Sequence, residues 1–242
     1  DAGCCTGQCR PCTARHSIVP VRHRWPRWYS AQTGLIDPPG AGIDGPPARA
    51  DHAVYMKANQ AAYQLRIIAG NWRGRKLSFA PVAGVRPTPD RVRETLFNWL
   101  NPVIRGARCL DLYAGSGALG IEAASRGAAS VVLVDSDAQV AAKLREQLQR
   151  LDAVQIEVVQ SSVEGWLAAS ATPFDIVFLD PPFRRNLLPG CIRALESGGW
   201  LAADARVYIE AEAGLVPDLP ENWELTRSKR AGQVGYHLAR RS

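Results

Sequence analysis

Three carboxylates in this chain stand at or near the end of an apolar run, two of them followed by small or rigid residues. Asp111 lies in Cys109-Leu110-Asp111-Leu112-Tyr113, which leads into Ala114-Gly115-Ser116-Gly117-Ala118-Leu119-Gly120. Asp135 closes the run Ser130-Val131-Val132-Leu133-Val134. Asp180 closes Phe174-Asp175-Ile176-Val177-Phe178-Leu179 and is followed by Pro181-Pro182-Phe183. Two successive prolines fix the backbone and leave carbonyls with no competing local N–H. The Asp180 carboxylate and the Pro181 carbonyl then offer two acceptors, and Phe183 a flat apolar face. Such a set can hold a planar base by its exocyclic amine.

That amine is a poor nucleophile because its lone pair is delocalised into the ring. Two fixed acceptors for its two N–H groups favour a pyramidal nitrogen and point the lone pair at a methyl sulfonium. Catalysis is then approach, desolvation and electrostatic placement, with no metal required. Residues 115–120 fit Gly-x-Gly-x-x-Gly, the spacing of dinucleotide-binding turns, where glycine lets the backbone approach a ligand closely. Asp111 argues against a pyrophosphate there, since like charges repel. Asp135 suits a carboxylate accepting both hydroxyls of a ribose. A nucleoside without phosphates fits both acids, and S-adenosylmethionine is the commonest such cofactor.

Positioning these groups requires an alternation of strands and helices. Strands are predicted at 107–112, 130–135, 154–159, 174–179 and 205–210, with helices at 118–126, 137–150, 163–169 and 187–197 between them. Residues 222–228 and 233–239 have β character, and Lys229-Arg230-Ala231-Gly232 between them reads as a hairpin turn. The fold class is therefore α/β: a doubly wound, Rossmann-like sheet, mostly parallel, with an antiparallel C-terminal hairpin. Ahead of it, 65–69 and 75–79 read as a small β-hairpin around Gly70 and Gly74, with Trp72 packed on its apolar face. A helix over 89–100 follows, with Thr88 as N-cap and Pro89 at the first helical position. Val92, Leu96, Trp99 and Leu100 form its inward stripe, while Arg91, Arg93 and Glu94 stay on the polar side. Cys109 and Cys191 are expected in the core.

Charge is unevenly spread. The net charge of +6 comes mainly from residues 56–100, which hold eight basic and two acidic groups; residues 101–242 hold fifteen basic and seventeen acidic. A positive field just before the glycine turn implies a polyanionic partner. Residues 1–55 contain seven of the 17 prolines and four of the six cysteines. Cys9-x-x-Cys12 has a zinc-like spacing without a second pair to close the site, so no metal is assigned. Trp25, Trp28 and Tyr29 stand among Arg22, Arg24 and Arg27 and could stack on bases or pin the arm to the domain. The expected organisation is a flexible Pro/Cys/Arg-rich extension over 1–55, domain-like sequence from Met56, a basic hairpin and helix over 56–103, and a cofactor-binding catalytic domain over 104–242. With no apolar run long enough to span a membrane and no secretory pattern, a cytoplasmic monomer is expected.

The stretch from Gln64 to Arg240 resembles the bacterial 16S ribosomal RNA guanine-N2 methyltransferases of the RsmD type, a class I S-adenosylmethionine-dependent family. The resemblance is carried by Arg66-Ile67-Ile68-Ala69-Gly70, Trp72-Arg73-Gly74-Arg75-Lys76-Leu77, Arg86-Pro87-Thr88, the run Asp90–Leu100, the Asp111–Gly120 turn and Asp180-Pro181-Pro182-Phe183. It implies methylation of a guanine N2 amine in 16S rRNA, guanine 966 in the usual bacterial numbering, within the assembling small subunit as a protein–RNA particle. It further implies Asp180, Pro181 and Phe183 as catalytic residues, and Asp111, Ala114, Gly115 and Gly117 at the methionine end of the cofactor. Asp135 stands at the ribose, where the family frequently has Glu, and Ser162 near adenine, where an amide or carboxylate often sits. RNA contacts are expected from Arg73, Arg75, Lys76, Arg86, Arg184 and Arg185. The competing readings are an adenine-N6 DNA methyltransferase, an NAD-dependent enzyme and a non-catalytic RNA-binding module.

Overall fold

The computed structural model describes residues 63–79 and 88–242. The extension over 1–55, Met56 and Arg86 lie outside them. A seven-stranded sheet carries the strands β3 (Arg108–Leu112), β4 (Ser130–Asp135), β5 (Ile156–Gln160), β6 (Phe174–Leu179), β7 (Leu201–Glu212), β8 (Trp223–Ala231) and β9 (Val234–Arg241). Their order is β5-β4-β3-β6-β7-β9-β8. The first five are parallel, and β9 runs antiparallel to both its neighbours. The chain winds outward through β4 and β5, returns to β6 beside β3, and winds the other way. The β3–β6 boundary is thus the switch point, where open α/β sheets bind ligands at the carboxyl edge.

The crossovers are α2 (Ala118–Ser125), α3 (Ala138–Leu151), α4 (Val163–Leu167) and α5 (Leu188–Ser197). Helix α3 starts where Asp137 accepts from the N–H groups of Gln139 and Val140, satisfying donors the first turn leaves open. It ends at Asp152 in the left-handed region, φ 53°. Helix α2 is buried all round, and its small residues let it lie close to the sheet. At Gly120 a Cβ would stand 2.3 Å from Leu133 Cδ2. Two apolar cores result, one per sheet face: α2 and α3 cover the first, α4 and α5 the second.

The N-terminal hairpin, β1 (Tyr63–Arg66) and β2 (Lys76–Phe79), and helix α1 (Asp90–Leu100) join the first core through Leu65, Trp72, Leu77, Leu96, Phe97 and Leu100. Each fully buried side chain of this size contributes about 1.5–3 kcal/mol. Polar contacts fix the hairpin on α2. Glu122 accepts from Ile68 N–H at 2.8 Å and Ala69 N–H at 3.0 Å. Ser125 donates to the Ala69 carbonyl and accepts from Trp72 N–H. Gly70 sits at φ +82°, and a Cβ there would lie 1.8 Å from the Ser125 carbonyl oxygen. No other residue fits that approach.

Two expectations for α1 need correction. Arg93 is fully buried rather than on the polar face. It donates to the Arg66 carbonyl at 2.8 Å and to Asp90 at 2.6 Å, and lies 3.7 Å from Glu122, so it needs a buried position to reach all three. Thr88 is not the N-cap. Pro89 occupies that position with no side-chain cap, and the Thr88 hydroxyl donates to Glu210 across the fold.

Among the described residues no helix is long and apolar enough to cross a membrane.

Candidate active site

Asp111 and Asp180 flank the switch point. Asp111 pairs with Phe178, and Phe178 with Tyr208. Because side chains alternate along a strand, Asp111, Asp180 and Glu210 fall on the sheet face that Phe178 and Tyr208 share. Asp180 and Glu210 follow the paired residues Leu179 and Ile209, so they stand at one level, Asp180 just past the end of β6 and Glu210 within β7.

On the β3 side, Asp111 is 2 % exposed and accepts from Gly120 N–H at 2.9 Å. This bond ties the strand end to the first turn of α2. Burial pushes its carboxyl up to about 8; the Gly120 bond opposes the shift, and the charges of Asp135 and Glu210 add to it. Among the described residues nothing donates to its Oδ1. A buried carboxylate so placed fits a cationic partner, as the ammonium of a methionine moiety would be. Tyr113 enters the turn at φ 66° and its hydroxyl lies 3.0 Å from Cys191 Sγ. Gly115 and Gly117 follow at φ 53° and 69°. Their N–H groups are taken internally, by Asp135 Oδ2 at 2.8 Å and by the Ala114 carbonyl at 2.7 Å. The glycines therefore offer a ligand close backbone approach rather than free donors. A Cβ at Gly117 would also meet Leu144 and Ile121 at under 3 Å.

Asp135 ends β4 and holds the turn from outside, taking Gly115 N–H on one oxygen and Asp137 N–H on the other. A carboxylate has about four acceptor positions, so two remain for hydroxyls. Ser162 caps α4, accepting from Gly165 N–H at 3.1 Å. The cradle thus fits a nucleoside bearing a cationic amino-acid arm: acid at the strand end, glycine backbone beneath, acid at the next strand.

On the β6 side, Asp180 is partly buried, Pro181 is buried and Phe183 stands 38 % exposed. Burial raises the Asp180 carboxyl well above the ordinary range, and the charges of Glu210 and Asp111 raise it further, with the nearby Thr88 hydroxyl opposing the shift. Arg184 and Arg185 are exposed next to Phe183, and Arg184 N–H donates to Glu212. A hollow beside this turn is lined by Pro181, Pro182, Phe183, Glu210, Leu215 and Val216, among others.

The basic hairpin is elsewhere. Arg73, Arg75 and Lys76 are exposed, and their turn docks at the far end of α2, with Arg75 also donating to the Arg150 carbonyl at the end of α3. Helix α2 starts beside the cofactor turn, so its eight residues separate the two regions by about 12 Å along the helix axis. A ligand meeting both must be extended.

Glu210 and Tyr208 are not among the residues the sequence pointed to, and Thr88 stands there only as a helix cap. Tyr208 and Thr88 both donate to Glu210 Oε1, at 2.8 and 3.2 Å. A signal existed for Glu210, an acid two residues from the end of an apolar strand at the same sheet edge as Asp180.

Comparison with known proteins places this geometry. A family model described as "Conserved hypothetical protein 95" matches residues 65–240. The ribosomal RNA small subunit methyltransferase D of Escherichia coli K12 is 54% identical over 180 residues, covering 74% of this chain and 90% of that protein. Its namesake in Haemophilus influenzae is 48% identical over 187 residues, covering 76% and 97%. Among solved structures, a putative methyltransferase of Escherichia coli superimposes with a TM-score of 0.68 at 55% identity, covering 74% of this chain and 98% of that one.

Proposed function

The chain belongs to the RsmD-type family of small-subunit ribosomal RNA methyltransferases, and from that footing we propose that it methylates the exocyclic N2 amine of a guanine in 16S rRNA. The methyl donor is S-adenosylmethionine, which supplies an electrophilic methyl group on a sulfonium when bound. Asp111 would hold its ammonium end, the Gly115–Gly117 backbone its methionine arm, and Asp135 its ribose hydroxyls. Ser162 stands at the adenine side.

The observation that carries the reading of an exocyclic amine as target is the Asp180–Phe183 turn at the switch point, beside the Asp111 strand, and the resemblance to the guanine-N2 family makes that amine a guanine's. Asp180 and the Pro181 carbonyl accept the two amine N–H groups, which fixes the nitrogen and leaves its lone pair free to attack. Phe183 supports the ring by stacking. The water-poor floor around Asp180 strengthens these bonds, and the transition state needs no reorganisation of them. The proton leaves the nitrogen after transfer, toward a carboxylate whose raised affinity for protons suits it as the receiver. Arg184 and Arg185 flank the turn and Arg73, Arg75 and Lys76 lie on the other side of α2, positions suited to phosphates of a folded RNA in an assembling subunit rather than to a mononucleotide.

The test is incubation with methyl-labelled S-adenosylmethionine and small-subunit rRNA, free and assembled, followed by nucleoside analysis. The expected product is N2-methylguanosine. N6-methyladenosine, or label in no nucleoside, overturns the reading.

A further inference from the structure

The Glu210 carboxylate has no part in the amine-holding turn described above, yet it is 4 % exposed and lies at the level of Asp180 on the neighbouring strand. One of its oxygens is occupied. Oε1 takes both the Tyr208 hydroxyl and the Thr88 hydroxyl, which locks the side chain between β7 and the head of α1. Among the described residues no donor reaches Oε2. Glu210 also contributes to the wall of the hollow that Pro181 and Phe183 line. A carboxylate oxygen that borders this hollow and that no described donor reaches is available to a donor on a ligand there.

The chemistry that would satisfy it is specific. Guanine carries an N1–H donor immediately beside its N2 amine, so its edge is a row of donors. Adenine carries a lone pair at N1 beside its amine, so a carboxylate there meets another acceptor. Parallel strands lie about 4.8 Å apart, so two acids at one level, one just past β6 and one within β7, can meet adjacent groups on a single base. We propose that Glu210 is the specificity-determining acceptor for the ring N1–H of the target guanine, with Asp180 beside it holding the N2 amine. This rests on the guanine-N2 reading and assigns its base selection to a residue outside the Asp180–Phe183 turn. Burial raises the Glu210 carboxyl and its two hydroxyl partners lower it, while the Glu210 charge raises the Asp180 carboxyl beside it. Two adjacent N–H donors would relieve the repulsion within the pair.

The experiment uses small-subunit particles carrying either guanine or 2-aminopurine at the target position. 2-Aminopurine keeps the reacting amine but has a lone pair at N1. Single-turnover methylation is measured at saturating S-adenosylmethionine for the wild type and for Glu210→Gln, which can still accept from Tyr208 and Thr88. The wild type should prefer guanine by about a hundredfold or more, as sites built around a buried hydrogen bond do. In Glu210→Gln the amide can donate to N1 of 2-aminopurine, and the preference should fall to below about tenfold or invert. An unchanged preference in the variant overturns the proposal. So does a wild type that methylates both bases equally fast, a result that does not depend on how the variant folds. If the wild type forms no N2-methylguanosine on the guanine particle, it is the guanine reading that fails instead.

Discussion

Asp111→Asn separates what the cofactor turn costs the fold from what it does for the ligand. In an unfolded chain Asp111 ionises near 3.8; in the folded protein its carboxyl is pushed up to about 8. Between these limits the folded state holds a proton that the unfolded state releases, so stability is present at low pH and lost as pH rises toward 8. At about 1.4 kcal/mol per unit, the full window is on the order of 5 kcal/mol for the empty protein. Asparagine keeps an acceptor for Gly120 N–H and cannot ionise. The Asn variant should therefore match the wild type near pH 4–5 and exceed it at pH 8. For a domain of this size a kcal/mol moves the midpoint by about 2–4 °C, so the gain at pH 8 should be roughly 10–20 °C. Cofactor binding should move the other way, weaker by about 1.5–3 kcal/mol, because the hydrogen bond to a charged group is lost. The assay is thermal unfolding at pH 5 and pH 8, with and without S-adenosylhomocysteine, together with calorimetric titration. Parallel pH slopes in the two proteins would show that Asp111 is already ionised and paired in the empty fold. Unchanged affinity would remove it from the cofactor site.

Asp180→Ala should bind S-adenosylhomocysteine normally and lose at least about a hundredfold in single-turnover rate, the scale of removing one preorganised polar partner; a fast variant would mean the turn is a rigid strand exit. Since burial raises Asp180 and the Glu210 charge raises it further, the rate should fall as pH drops through a range above the ordinary carboxylate one, and Glu210→Gln should move that limb to lower pH; a limb at the same pH in both proteins counts against coupling of the pair. Neutralising Arg73, Arg75 and Lys76 together should weaken RNA binding and flatten its salt dependence while leaving cofactor affinity intact, read as the slope of binding against salt concentration. Arg93→Leu should cost about 3–5 kcal/mol in a denaturant titration, because Glu122 is left buried with less charge to face; a loss under about 1 kcal/mol would show that the backbone donors of Ile68 and Ala69 suffice.

The strand–helix alternation was readable because β4 and β6 are apolar runs followed by an acid and the longer crossover helices, α3 and α5, each have an apolar face. Asp111, Asp135 and Asp180 were identifiable for the same reason, since a carboxylate after such a run must find donors at the sheet edge. Arg93 was not readable. Its spacing puts it next to the apolar stripe of α1, and only the carbonyl of Arg66 and the acids Asp90 and Glu122 make its burial tolerable. Thr88 failed for a related reason. Threonine before proline at a helix start reads as a cap, but the local donors lost to a partner on β7 that no window of sequence contains.

The acids at the carboxyl edge are best understood together. Asp111, Asp180 and Glu210 lie on one face of three adjacent strands; the Glu210 charge raises the proton affinity of both aspartates, and the Asp111 charge raises that of Asp180 further. A structural role alone would favour separating them or replacing one by a neutral acceptor, since like charges buried together oppose folding. The donors that reach them are few: Gly120 for Asp111, Tyr208 and Thr88 for Glu210. What the cluster lacks is cations and N–H groups. The ammonium of the cofactor and the donor edge of a guanine supply both, at neighbouring positions, and bring the reacting methyl and amine to the same switch point.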